Sequence, residues 1–201
     1  MVWKGERQRH STSRRGVKTV DTDKVIYSRG VAEVVYPKDI PLYLYHATAT
    51  KNLENILNKG FELGKEETRS LEMEWEEVRP VEDKIFFTES PDTAGYFGMQ
   101  AIESMYKRAK KKLRREDIDY VILKISTAEF ERSNFYAYRG AELFGTGQRE
   151  YFVKYKVPRF WIEGGIRVYW DEKKNTIVRD GFRVKWHGPN YTIIPIKEEW
   201  V

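Results

Sequence analysis

Gly145-Thr-Gly-Gln-Arg-Glu-Tyr-Phe-Val153 runs from a glycine-punctuated loop into an apolar strand, with Glu150 at the junction. A carboxylate at the mouth of a buried strand is held by rigid backbone and still faces a loop that can admit a ligand. The plainer alternative is that Glu150 is simply the polar first residue of a strand. That strand is predicted over Glu150–Tyr155, ending before Pro158, with Phe160–Ile162 continuing into a neighbouring one. Downstream, Ile166–Trp170, Thr176–Val178, Phe182–Trp186 and Tyr191–Ile196 read as further strands, with turns at Lys173-Lys-Asn and His187-Gly-Pro-Asn.

Upstream the pattern mixes strands with helices. Val25–Tyr27 and Val31–Tyr36 read as short strands, as do Pro41–His46, Lys84–Thr88 and Tyr120–Ile125. A helix follows His46, capped by Thr48 or Thr50, burying Leu53, Ile56 and Leu57 and ending at Gly60. Ser90-Pro-Asp-Thr begins a second helix, with Pro at its first position and acid in its first turn. Its apolar positions, from Ala94 and Phe97 to Met105, Ala109 and Leu113, carry it to about Arg115. Helices early and strands late predict an α+β fold with a largely antiparallel, split sheet. The stretch from Ser133 to Thr146 reads as an aromatic-rich loop, and Glu62–Glu77 as an acidic, solvated one.

Composition sets the outer bounds. The chain has 201 residues, a third of them charged and a seventh aromatic, enough for one sizeable core. Absence of cysteine excludes disulfides, thiolate catalysis and cysteine metal sites, and His10, His46 and His187 are too widely spaced for a local metal motif. No apolar run has the length of a signal peptide core or a membrane span, so a cytoplasmic protein without a membrane partner is expected, or one in the host cytoplasm if it is a delivered effector. The net charge of +5 suits an acidic partner. Two stretches are candidate contacts for nucleic acid: basic residues 1–20, and Lys107–Arg115, with seven cations in nine residues. Each has a structural alternative, a solubilising tail for the first and favourable cations at a helix C-terminus for the second. The domain reading is a basic arm over 1–38 followed by a catalytic domain over 39–201.

Three stretches belong together: Tyr45-His46-Ala47-Thr48 leading into the helix that ends at Gly60, Lys84-Ile-Phe-Phe-Thr-Glu-Ser-Pro-Asp-Thr-Ala-Gly-Tyr96, and Gln148-Arg-Glu150-Tyr-Phe-Val. In that order and spacing they resemble the ADP-ribosyltransferase fold family, in its diphtheria-toxin-like and poly(ADP-ribose)-polymerase-like branch, whose mark is a His, a Tyr and a Glu on three strands. The resemblance covers roughly residues 41 to 162.

The resemblance implies an NAD-dependent mono-ADP-ribosyltransferase that releases nicotinamide and modifies a protein acceptor. It implies that Glu150 is the catalytic glutamate and that His46 bonds an NAD ribose hydroxyl. Ala47 stands where the family has a glycine whose backbone holds the carboxamide. Phe86 stands where the family has its motif tyrosine, keeping the ring and losing the hydroxyl. Thr93 matches the residue that contacts the carboxamide, and Tyr96 the tyrosine that stacks on the nicotinamide. Gln148 resembles the glutamine of a Gln-x-Glu pattern in the other branch of the superfamily, and would orient the acceptor; its alternative is a solvated loop glutamine. The loop with Tyr136, Tyr138 and Phe144 falls where the family recognises its acceptor. Two further readings are modification of DNA or RNA, and a non-catalytic module that keeps the fold.

Overall fold

The structure is a computed structural model that describes residues 40–63, 84–128 and 150–197 with their side chains, and the backbone of residues 18–21, 24–27, 30–34, 67–68, 79–80, 135–139 and 149. The strands are β1 (Lys18–Asp21), β2 (Lys24–Tyr27), β3 (Gly30–Val34), β4 (Tyr43–Ala49), β5 (Glu67–Thr68), β6 (Arg79–Pro80) and β7 (Ile85–Thr88). They continue with β8 (Asp119–Ser126), β9 (Phe135–Arg139), β10 (Arg149–Val153), β11 (Ile162–Asp171), β12 (Thr176–His187) and β13 (Asn190–Ile196). The helices are α1 (Leu53–Lys59) and α2 (Pro91–Arg108). Eleven strands form one sheet in the order β1-β2-β3-β9-β10-β7-β4-β8-β11-β12-β13, and β5 pairs with β6 separately. Neighbouring strands pair antiparallel, so the fold is α+β as the order of elements predicts. Because β3 pairs with β9, the strands at 18–34 extend the same sheet.

Helix α2 joins β7 to β8. Both strands run antiparallel to β4, which lies between them, so α2 returns the chain across one face of the sheet. It packs there closely: a Cβ at Gly98 would stand 2.9 Å from the Ala47 methyl and 2.9 Å from the Tyr120 ring. Ala94, Ile122 and Val168, with Tyr45, Ala47 and Ile166 against them, fill this α2 face. Alternate residues point the other way. Leu44, Phe87, Leu123, Ile125, Tyr151 and Phe182 meet Ile56, Leu57 and Phe61 in the larger core, which is the α1 face. All four residues of β7 are buried, because it is central and covered on both sides.

Several boundaries differ from the sequence reading. β4 runs on through Ala49, and a short 3-10 turn over Thr50–Asn52 precedes α1. Neither Thr48 nor Thr50 caps that helix: Thr48 Oγ1 accepts from Asn52 Nδ2 at 2.8 Å, and Thr50 Oγ1 donates to Asp119 at 2.7 Å. Gly60 does close it, at φ +81. α2 stops at Arg108, and Lys110 takes a positive φ of 54, so Lys110–Arg115 lie beyond the helix. The reason is that the buried stripe runs out: after Met105 the apolar spacing is carried only by Ala109, which is exposed, and Leu113, which is half-buried. Residues 135–139, expected in a loop, form β9. The two strands predicted at 176–178 and 182–186 are one, since Asp180-Gly181 continues the ladder against β11 and β12's other neighbour. Phe160 and Trp161 lie in a 3-10 turn before β11 begins at Ile162. The acidic residues 64–66 and 69–78, the arm at 1–17 and the loop residues 140–148 are outside the described residues.

Candidate functional site

Glu150 lies on β10 directly opposite Thr88 of β7, and Phe152 lies opposite Phe86. Residues opposite each other in an antiparallel pair share a face. The row continues from Thr88 to Tyr45 of β4 and on to Lys124 of β8. Since Tyr45 and Ala47 belong to the α2 face, so does Glu150. Glu150 as a whole is 3 % exposed. Below it on the same face the Phe86 and Phe152 rings pack with centroids 5.7 Å apart. Lys84, also buried, sets its Nζ 5.1 Å from the centroid of the Phe152 ring.

His46 sits where β4 and β7 part. Their register contains one Cα pair, Tyr45 with Thr88. The carbonyl oxygen of Phe86, one step further into the gap, meets His46 Nδ1 at 2.7 Å. A carbonyl only accepts, so Nδ1 carries the proton, and the imidazole takes the place of a backbone donor in the ladder. The ring itself is on the α1 face, edge-on to Phe61 at 4.9 Å and to Phe87 at 5.9 Å. His46 and Glu150 thus flank the same strand, β7, from opposite faces of the sheet.

The start of α2 follows directly from β7. Thr88 Oγ1 donates to the Ser90 carbonyl at 2.9 Å, and Ser90 Oγ caps the helix by accepting from the Thr93 amide at 3.1 Å. The Ser90 hydroxyl also donates to Thr93 Oγ1 at 3.3 Å. Thr93, Phe97 and Gln100 share one flank of α2, while Asp92, Tyr96 and Met99 share the other, since each residue turns about 100° around the axis. Tyr96, 43 % exposed, lines a hollow of about 400 Å³ with Tyr120, Ile122, Val168, Ile177 and Arg179. That hollow opens over β8, β11 and β12. Three strands separate β10 from β11, so it is roughly 19 Å along the sheet from the row of Glu150, at about 4.8 Å per strand.

Of the residues singled out in the sequence, Glu150, Phe86, Ala47 and Thr93 therefore lie on or over one face. The His46 ring occupies the other face, and Tyr96 the far flank of α2. Gln148 is outside the described residues, as are the side chains of Tyr136 and Tyr138. Two side chains on the Glu150 face were not foreseen, Tyr45 and Lys84. The alternation of strand residues could have found both, because Tyr45 is two positions from Ala47 and Lys84 two from Phe86. Burial, with the neighbouring Tyr43 second, raises the Tyr45 hydroxyl above the ordinary tyrosine value. In the basic stretch, Arg114 is bound to Asp117 at 3.2 Å and Arg115 lies over the Trp170 ring at 5.7 Å, which ties these two cations to the turn before β8.

Among the described residues no helix is long and apolar enough to cross a membrane. No protein-family model matches the sequence, and no curated protein matches it.

Proposed function

We propose that the chain is an NAD-dependent mono-ADP-ribosyltransferase acting on a protein, with Glu150 as its working carboxylate. The observation that carries this reading is a glutamate 3 % exposed on a central strand, opposite Thr88 and one strand from the parting of β4 and β7. A solitary strand-edge glutamate would lie in water; a carboxylate buried on a central strand is held in one place, and carboxylates in such surroundings are candidates for function.

NAD supplies a nicotinamide–ribose bond whose breakage builds positive charge on the sugar. Glu150, held by rigid backbone on both sides, is suited to stabilise that charge and to accept a hydrogen bond from the ribose 2′-hydroxyl. The capped first turn of α2 offers the Thr93 hydroxyl on the flank away from the Tyr96 hollow. Phe86 gives the floor an apolar ring with no competing donor. Fixed placement of these groups supplies much of the rate, since nicotinamide leaves as a neutral base. Gln148 and the loop before it are assigned to the acceptor.

Incubation with labelled NAD and a cell lysate tests the reading. Release of nicotinamide with label on protein is expected; a folded sample that releases none and labels nothing contradicts it. Label removed by nuclease rather than protease would move the acceptor to DNA or RNA, through residues 1–20 or Lys107–Arg115.

A second reading, a non-catalytic module of the same fold, draws on one observation: Tyr96 faces the hollow over β8, β11 and β12 rather than Glu150. It predicts that NAD at millimolar concentration leaves the protein's thermal midpoint unchanged.

A further inference from the structure

Glu150 is followed by Tyr151, whose ring points to the opposite face and is 1 % exposed. From within that core the Tyr151 hydroxyl donates to Glu89 Oε1 at 2.5 Å. Glu89 is the residue that leaves β7 immediately after Thr88, the partner of Glu150 in the ladder. One residue later Ser90 caps α2 and holds Thr93. The Tyr151–Glu89 bond therefore ties the strand that carries Glu150 to the turn that carries Thr93, from the face opposite the proposed chemistry.

We infer that Tyr151 and Glu89 are positioning residues: their hydrogen bond fixes the β7–α2 turn against β10 and so sets the spacing between Glu150 and the first turn of α2. The inference rests on the reading of Glu150 as the working carboxylate for its catalytic consequence, though not for its structural one. Three features support it. The bond joins a hydroxyl donor to a carboxyl oxygen, the stronger class of hydrogen bond. Its two ends are each one residue from the Glu150–Thr88 pair, so little slack intervenes. The turn has its own local bonds, from Thr88 Oγ1 to the Ser90 carbonyl and from Thr93 to Ser90, which make Glu89 to Thr93 move as a unit. A bond at one end of such a unit controls the other.

Tyr151→Phe keeps the buried ring and deletes only the hydroxyl. It is expected to lower kcat for nicotinamide release about tenfold to a hundredfold, the order produced by small misplacement of a reacting group, with the KM for NAD within about threefold of the parent. Glu89→Ala should reproduce the loss, Glu89→Gln, which keeps an acceptor oxygen, should restore most of the rate, and Tyr151→Phe combined with Glu89→Ala should be no worse than either alone. Amide hydrogen exchange on the unmodified chain and on Tyr151→Phe gives the second measurement, independent of turnover. Exchange at the Thr93 and Ala94 amides, which bond to Ser90, should accelerate at least tenfold while the core amides of β8 and β11 keep their protection. If the unmodified chain turns over no NAD, the proposed function fails and the exchange result alone decides the tether. Unchanged exchange at the Thr93 and Ala94 amides, or a uniform acceleration across the whole chain, overturns the inference.

Discussion

His46 shows how one side chain can stand in for a backbone donor and fill a core at once. Its Nδ1–H satisfies the Phe86 carbonyl in the gap where β4 and β7 no longer pair, and its ring packs on Phe61 and Phe87. His46→Leu keeps an apolar filling and removes the donor, leaving a buried carbonyl unsatisfied. A loss of about 1–3 kcal/mol of stability is expected in urea unfolding; a midpoint equal to the parent's would mean that the carbonyl finds another donor. The identity of His46 was readable from the sequence, as was its place on a strand beside an apolar-aromatic run. Its face was not, because an alternation of Leu44, His46 and Thr48 against Tyr43, Tyr45 and Ala47 contains apolar residues on both sides. Which side α2 covers is decided by Gly98 and Ala94, some fifty residues later.

At the scale of elements, the sheet owes its closeness to glycine at one crossing in particular. Gly165 of β11 lies between Leu123 of β8 and Phe182 of β12, and a Cβ there would stand 2.4 Å from the Ile122 carbonyl and 2.9 Å from the Phe182 ring. Backbone cannot yield as a side chain can. Gly165→Ala is expected to cost about 1–3 kcal/mol through forced displacement of β8 against β11, measured by the chemical-denaturation midpoint; an unchanged midpoint contradicts the packing. The elements themselves were largely legible: the strand at Glu150, the Pro-led start of α2 and the Gly60 stop each follow from local chemistry. Element ends were less so. Lys107–Arg115 keep helical composition past Arg108, but the buried stripe has run out by then, and composition without a face to bury does not sustain a helix. Residues 135–139 pair because β3 and β10 lie on either side of them, a tertiary cause that the mixed aromatic and polar sequence does not carry.

For the whole molecule, the two tyrosines beneath α2 couple the fold to alkaline pH. Tyr120 is raised above the ordinary value of 10.0, mainly by burial, with Arg179 lowering and Asp92 raising it; Tyr45 is raised by burial and then by Tyr43. A folded value above the unfolded one means that the folded chain keeps protons which the unfolded chain has lost. Stability from these groups is therefore full below pH of about 10 and falls as pH rises through the raised values. Urea midpoints recorded across that range should decline, and Tyr120→Phe should flatten the decline; a slope unaltered by the substitution would place the titration elsewhere. The overall class, α+β with a mostly antiparallel sheet, was legible from the order of elements. The continuity of eleven strands was not, because it depends on β3 meeting β9 across more than a hundred residues.

The most direct test of the account concerns Glu150. With labelled NAD, the unmodified chain should release nicotinamide, and Glu150→Gln, which replaces the carboxylate by an amide of the same shape, should lower kcat by about a hundredfold to a thousandfold with the circular dichroism spectrum unchanged. Equal turnover by the two proteins, or turnover by neither when both are folded, would contradict the assignment of Glu150 as the working carboxylate.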